Sequence, residues 1–226
     1  GEQVKVATTM FKQKGPGFFD RERCGLMPAM PIRQAPNDPE KLQVCFPEEL
    51  RKYFNKNLPV VDQLIVNNPL PGFQDVVKEG SVITFTKTSN RVVELTDSTK
   101  ADLIIDVRFD VESGRVGLVT RYNRNSRKGC VVLVDPKRKE LQFTTLGPLY
   151  KSGIALGLME RYNITSPVKS GFLLSVIQSE NYQQVFIDGI LAATFSFARR
   201  DAGTVGLFLE NATGKAEVEG IHLFKP

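Results

Sequence analysis

Ala101-Asp102-Leu103-Ile104-Ile105-Asp106-Val107-Arg108-Phe109-Asp110 decides the fold class. Ala101, Leu103, Ile105, Val107 and Phe109 share one parity and are all apolar. Asp102, Ile104, Asp106, Arg108 and Asp110 share the other and are mostly charged. A period of two is the repeat of an extended chain, so the stretch predicts a strand with Leu103, Ile105, Val107 and Phe109 facing inward. Asp102, Asp106 and Arg108 are expected to face water.

Working outward, similar runs recur at intervals of about ten residues. Ser81–Thr86 and Arg91–Thr96 precede the decisive stretch. Strands are expected after it at 116–121, 129–134, 139–144, 153–159, 171–178, 182–187, 190–197, 204–210 and 215–224. None of these intervals sustains a helical period, so parallel βαβ units are disfavoured and an antiparallel sandwich or barrel is expected. Turn chemistry fits hairpins. Asp188-Gly189 stands between two apolar runs, a strong short-range hairpin signal. Asp135-Pro136 suits a type I turn. Glu210–Lys215, with Gly214, predicts a further turn. Parity breaks at Gly220 between Val218 and Ile221, which predicts a β-bulge.

Residues 1–74 read differently from residues 75–226. Nine of the 13 prolines lie between Pro16 and Pro71. Proline lacks a ladder donor, so central strands cannot dominate there. Residues 1–74 are therefore expected to be an irregular segment that wraps on or extends the sandwich. It contains one short helix over 47–54, where Pro47 starts a run with acids first and bases after.

The composition excludes several chemistries. The 226 residues carry 30 Lys+Arg against 25 Asp+Glu, one histidine (His222), three cysteines and no tryptophan. A Ser-His-Asp triad would have to use His222, which reads better as a structural histidine, and a His-rich or Cys₄ metal site cannot be assembled. Gly15-Pro16-Gly17 lacks the helix and Lys-Ser/Thr of a phosphate loop. No apolar run is long enough for a membrane span. Cys130 opens an apolar run and reads as a buried hydrophobe. A Cys24–Cys45 bridge would close a loop of about 20 residues and contribute about 3 kcal/mol. Reduced thiols are the alternative. Asn163-Ile164-Thr165 and Asn211-Ala212-Thr213 are glycosylation sequons compatible with secretion. No leader signal is visible in this stretch, and an extracellular or periplasmic location is expected. Arg121, Arg124, Arg127, Lys128, Lys137, Arg138 and Lys139 form a basic run offset by Asp135 and Glu140. Only Tyr122 accompanies them as an aromatic, which disfavours nucleic acid as the partner.

Ala101–Phe109, Gly117–Tyr122, Gly129–Asp135, Tyr182–Gly189, Gly203–Phe208 and Ala216–Ile221 together resemble the concanavalin A-like jelly roll of laminin-G-like domains and of levanase-type carbohydrate-binding modules. The resemblance covers about residues 75–226. It implies an all-β, antiparallel two-sheet sandwich whose curved face or rim loops bind a sugar, sometimes beside a structural calcium. Asp97, Asp110 and Asn211 are the oxygen donors such an ion would use; no other metal or cofactor is expected. Glycosidases of this fold carry Glu-x-Asp-x-x-Glu on one strand, and no such run occurs. Asp106 and Asp110 are about 13 Å apart along an extended strand, too far for a retaining pair. The expected function is thus a non-catalytic carbohydrate-binding module. A protein-interaction subunit and a glycoside hydrolase with a non-standard carboxylate pair are the alternatives. Arg121, Tyr122, Asn123, Asn125 and Arg127 combine a ring, amides and cations on one strand end and loop. With Tyr182, they are the expected contacts to a carbohydrate or acidic glycan.

Overall fold

The computed structural model describes residues 56–57, 59–67, 76–88, 90–97, 103–148, 154–157, 160–164, 170–179, 182–196 and 202–223. The expected helix over 47–54, Cys24, Cys45 and Asp102 lie outside the described residues.

Every regular element among the described residues is a strand. The first five are β1 (Lys56–Asn57), β2 (Ile65–Asn67), β3 (Val76–Glu79), β4 (Val82–Thr88) and β5 (Arg91–Glu94). Next come β6 (Leu103–Asn123), β7 (Lys128–Asp135), β8 (Glu140–Pro148), β9 (Ile154–Leu156) and β10 (Glu160–Asn163). The last four are β11 (Gly171–Ser179), β12 (Tyr182–Ile187), β13 (Ile190–Ser196) and β14 (Thr204–Leu223). All pairings are antiparallel.

Two long strands, β6 and β14, build both layers. They pair with each other from Thr204↔Tyr122 to Leu223↔Leu103. The first half of β6 continues through β11 to β12 and β13, and its second half continues through β7 to β8. The first half of β14 carries β5 and β2, and its second half carries β4 and β3. Sequence reading expected separate strands at 204–210 and 215–224 with a turn between. The structure instead passes one strand through that point, with register shifts between Glu210 and Gly214. Asn211, at φ 49°, absorbs a bend rather than a reversal. On β6 the matching bend falls at Gly114, whose φ is 83°. The sheet folds over at this corner, and its two halves enclose the main core. Leu103, Ile105, Val107 and Phe109 pack there with Val116, Leu118, Val132, Val134 and Phe143.

The inward assignment of Leu103, Ile105, Val107 and Phe109 holds, since all four are fully buried. The outward assignment of Asp106 does not hold. Asp106 is 1% exposed and accepts a 2.6 Å hydrogen bond from Ser175 Oγ. Its neighbours on the same face, Ile104 and Ile177, are also buried. That face is covered as well, and alternation cannot distinguish water from a second buried surface. Arg108, two residues on, does face out and pairs with Glu219 at 2.7 Å.

Two turn expectations and the expected bulge are met. Asp188 and Gly189 have φ of 50° and 77° between Ile187 and Ile190, the double positive φ of a type I′ turn. Arg138 N donates to Asp135 Oδ1 at 2.9 Å in the β7–β8 turn. A register shift between Val218 and Gly220 marks the expected bulge, and the His222 ring occupies the space a Gly220 side chain would need.

Candidate functional site

The β6–β7 hairpin builds one end of the sandwich. Thr120 pairs with Cys130, and the next pair is Asn123 with Lys128. Two residues of β6, Arg121 and Tyr122, therefore oppose one of β7, which is a β-bulge. Arg121 takes φ 52°, uncommon for a residue with a side chain. The extra residue changes parity, so Tyr122 joins Val119, Val131 and Phe208 on the outer face rather than the main core. Gly203 holds the bulge from the β14 side. A Cβ there would meet the Arg121 backbone and stand 2.6 Å from the Tyr122 amide nitrogen. Thr204 Oγ1 donates to the Tyr122 carbonyl at 3.3 Å. Within the turn, Ser126 N donates to Asn123 Oδ1 at 2.9 Å, an Asx arrangement that fixes Asn123.

Beside this turn lies an open cleft of about 330 Å³. Its polar side carries Glu94, Asp97, Asn123, Arg124 and Asn125. Its apolar side carries Val61 and Ile65. Arg124 reaches back to β5 and binds Glu94 through two bonds, Nε to Oε1 at 2.9 Å and Nη2 to Oε2 at 3.0 Å. The Arg124 side chain is half exposed, whereas the Glu94 side chain is 2% exposed. The hydrogen bond that Arg124 donates to Glu94 holds the Arg124 pKa above its ordinary value. Burial first, and the Glu94 charge second, push the Tyr122 phenol up to about 12. Tyr122 is 1% exposed, and its hydroxyl has no hydrogen-bond partner among the described residues.

The apolar side comes from outside the region that resembles a jelly roll. Val61 N donates to Leu95 O at 3.0 Å, Lys78 Nζ donates to Val61 O at 2.8 Å, and Ile65 pairs with Glu94. These bonds pin residues 61–67 along β5. Ile65 is left 40% exposed at the cleft.

The structure thus brings Tyr122, Asn123 and Asn125 of the expected contacts to one cleft. Arg121 is buried in the bulge and Arg127 is half-buried in the turn. Tyr182 pairs with Ser196 and Ser179 on another part of the sheet. The basic run is also divided. Arg124–Lys128 and Lys137–Lys139 sit at opposite ends of β7, about 23 Å apart at strand rise. Lys137 and Arg138 line a different cleft with Gly114, Arg115 and Asn211. Asp97 and Asn211, two of the expected calcium donors, line different clefts. Among the described residues no group of three or more His, Cys, Asp and Glu could hold a metal ion, and no helix could cross a membrane. Sequence reading did not find Glu94 or Ile65. Nothing in Arg91–Glu94 or Ile65–Asn67 distinguishes them from ordinary strand residues.

The folded-over sheet, with its two long shared strands, is a concanavalin A-like jelly roll. No protein-family model and no curated protein sequence matches the chain. Among solved structures it is similar to the carbohydrate-binding module CBM66 from Bacillus subtilis, with a TM-score of 0.55 and 13% identity, covering 73% of this chain and 95% of that one. A Bacillus licheniformis β-glucanase gives 0.48 at 12% identity, covering 67% and 83%. A prokaryotic β-1,3-1,4-glucanase (lichenase) derived from a mouse hindgut metagenome gives 0.49 at 11% identity, covering 74% and 96%. At these identities the likeness is one of fold alone, and activity has to be argued from the site.

Proposed function

We propose that this chain is a non-catalytic carbohydrate-binding module and that its ligand occupies the cleft beside the β6–β7 turn. The Glu94–Arg124 pair carries this reading. The buried Glu94 carboxylate fixes the Arg124 guanidinium at the cleft, and the donors that Arg124 has left over can bond the hydroxyl oxygens of a sugar. Asn123 and Asn125 add carboxamides at the rim. Small-molecule sites commonly join a few fixed polar groups to an apolar wall, and this cleft has both. The similarity of fold to CBM66 is in keeping with the reading.

Catalysis fits the site less well. Both Glu94 oxygens accept bonds from Arg124, which leaves Glu94 an acceptor rather than a proton donor. A glycosidase needs one carboxyl that donates a proton. The test is a glycan array with the full chain, repeated with Asp97→Ala/Asn125→Ala. Binding that the double variant loses supports the proposal. Reducing ends released from a polysaccharide panel would instead favour a hydrolase. Retention only of protein partners would favour an interaction subunit.

A further inference from the structure

Resting on the proposed glycan-binding role, the geometry points to an uncharged sugar ring as the ligand. We infer that Arg124, held in place by the buried Glu94, grips its hydroxyl edge while Ile65 packs against its C–H face. Three observations lead there. First, the charges lining the cleft nearly cancel. Glu94 and Asp97 oppose Arg124, and Arg127 is close enough to act on the Tyr122 phenol. An acidic glycan would lose its hydration and meet two carboxylates, so net attraction is absent. The other basic residues of the run, Lys137 and Arg138, belong to the opposite end.

Second, Ile65 is one of only two large apolar side chains exposed among the described residues, the other being Val77 on β3. Ile65 lines the cleft and Val77 does not. The β2–β5 pairing sets Ile65 beside Glu94, so an apolar contact and a polar edge adjoin on neighbouring strands. A ring with hydroxyls on its rim and C–H groups on its face matches both at once. Third, Tyr122 is buried and lines the cleft, its hydroxyl without a partner among the described residues and within electrostatic reach of Glu94 and Arg124. Tyr122 thus forms a buried aromatic floor to the cleft. The strap bearing Ile65 is then a specificity element added to the sandwich.

The test uses the full chain and calorimetric titration with neutral hexose oligosaccharides and with uronate- and sulfate-bearing chains of the same length. The inference expects binding of a neutral oligosaccharide whose affinity changes less than about twofold between 50 and 500 mM NaCl, because an uncharged ligand has no ion pair to screen. Ile65→Ser is expected to weaken that binding about tenfold, and Glu94→Gln at least as much. Val77→Ser is expected to leave it unchanged. Melting temperatures of all three variants separate lost binding from lost folding, and the salt series needs no variant. Binding confined to uronate or sulfate chains overturns the inference and leaves the glycan-binding role standing. Neutral binding that a folded Ile65→Ser or Glu94→Gln protein retains puts the sugar elsewhere and also overturns it. Absence of binding to every glycan overturns both.

Discussion

Replacing Gly203 by alanine tests whether the Arg121–Tyr122 bulge shapes the cleft. The added Cβ would meet Arg121 backbone atoms and approach the Tyr122 nitrogen to 2.6 Å. Backbone atoms in a paired strand cannot rotate aside as a flexible side chain does. The bulge or β14 has to shift, and forced overpacking of this kind costs about 1–3 kcal/mol. For a chain of this size each kcal/mol lowers the melting temperature by about 2–4 °C, so a fall of about 2–12 °C is expected. A shift of the bulge moves Tyr122 and Asn123 with it, so glycan affinity should fall in the same variant. Gly189→Ala is the matched comparison. Nothing lies within 4 Å of that position, and its φ of 77° makes the cost torsional alone, about 1 kcal/mol. Its hairpin is remote from the cleft lining, so affinity should be unchanged. Thermal unfolding and titration of both variants give the answer. A Gly203→Ala protein with wild-type melting temperature and affinity would refute the close backbone approach and the bulge's role.

Other consequences follow from the same geometry. Val107→Asp places an unpaired carboxylate in the main core and should cost several kcal/mol, abolishing soluble expression; soluble protein of normal stability would contradict the inward assignment. Ser175→Ala removes a hydrogen bond to the buried Asp106 carboxylate and should lower stability by about 1.5–3 kcal/mol in urea unfolding. The Tyr122 phenol, at about 12 in the folded chain against about 10 when unfolded, contributes stability that is intact below about pH 10 and lost as pH rises toward 12. The full loss is about 3 kcal/mol, so the melting temperature of Tyr122→Phe should gain on the wild type between pH 9 and 11.5. A constant difference would place the phenol in water.

The elements that were legible in the sequence share a local cause. Period-two patterning located Leu103–Phe109, and residues that tolerate positive φ located the Asp188-Gly189 turn. Gly220 marked a real bulge. What escaped depends on contacts distant in sequence. Asn211 and Gly214 look alike in a reversal and in a bend, so β14 was divided. Asp106 alternates like a solvated residue because its burial is decided by what covers the second face. Arg124 meets Glu94 from 30 residues away, and a basic run gives no sign of which members fold toward an acid. Ile65 sits in a proline-bounded segment whose pairing with β5 has no local signature.

Amide chemical-shift mapping of the full chain, titrated with the neutral hexose oligosaccharides, tests the central claim most directly. The account predicts that the largest shifts fall at Ile65, Glu94–Asp97, Tyr122–Asn125 and Ala202–Thr204, on both sides of one cleft. Shifts centred instead on Gly114, Lys137 and Asn211 at the opposite corner, or no shifts at all, would contradict it.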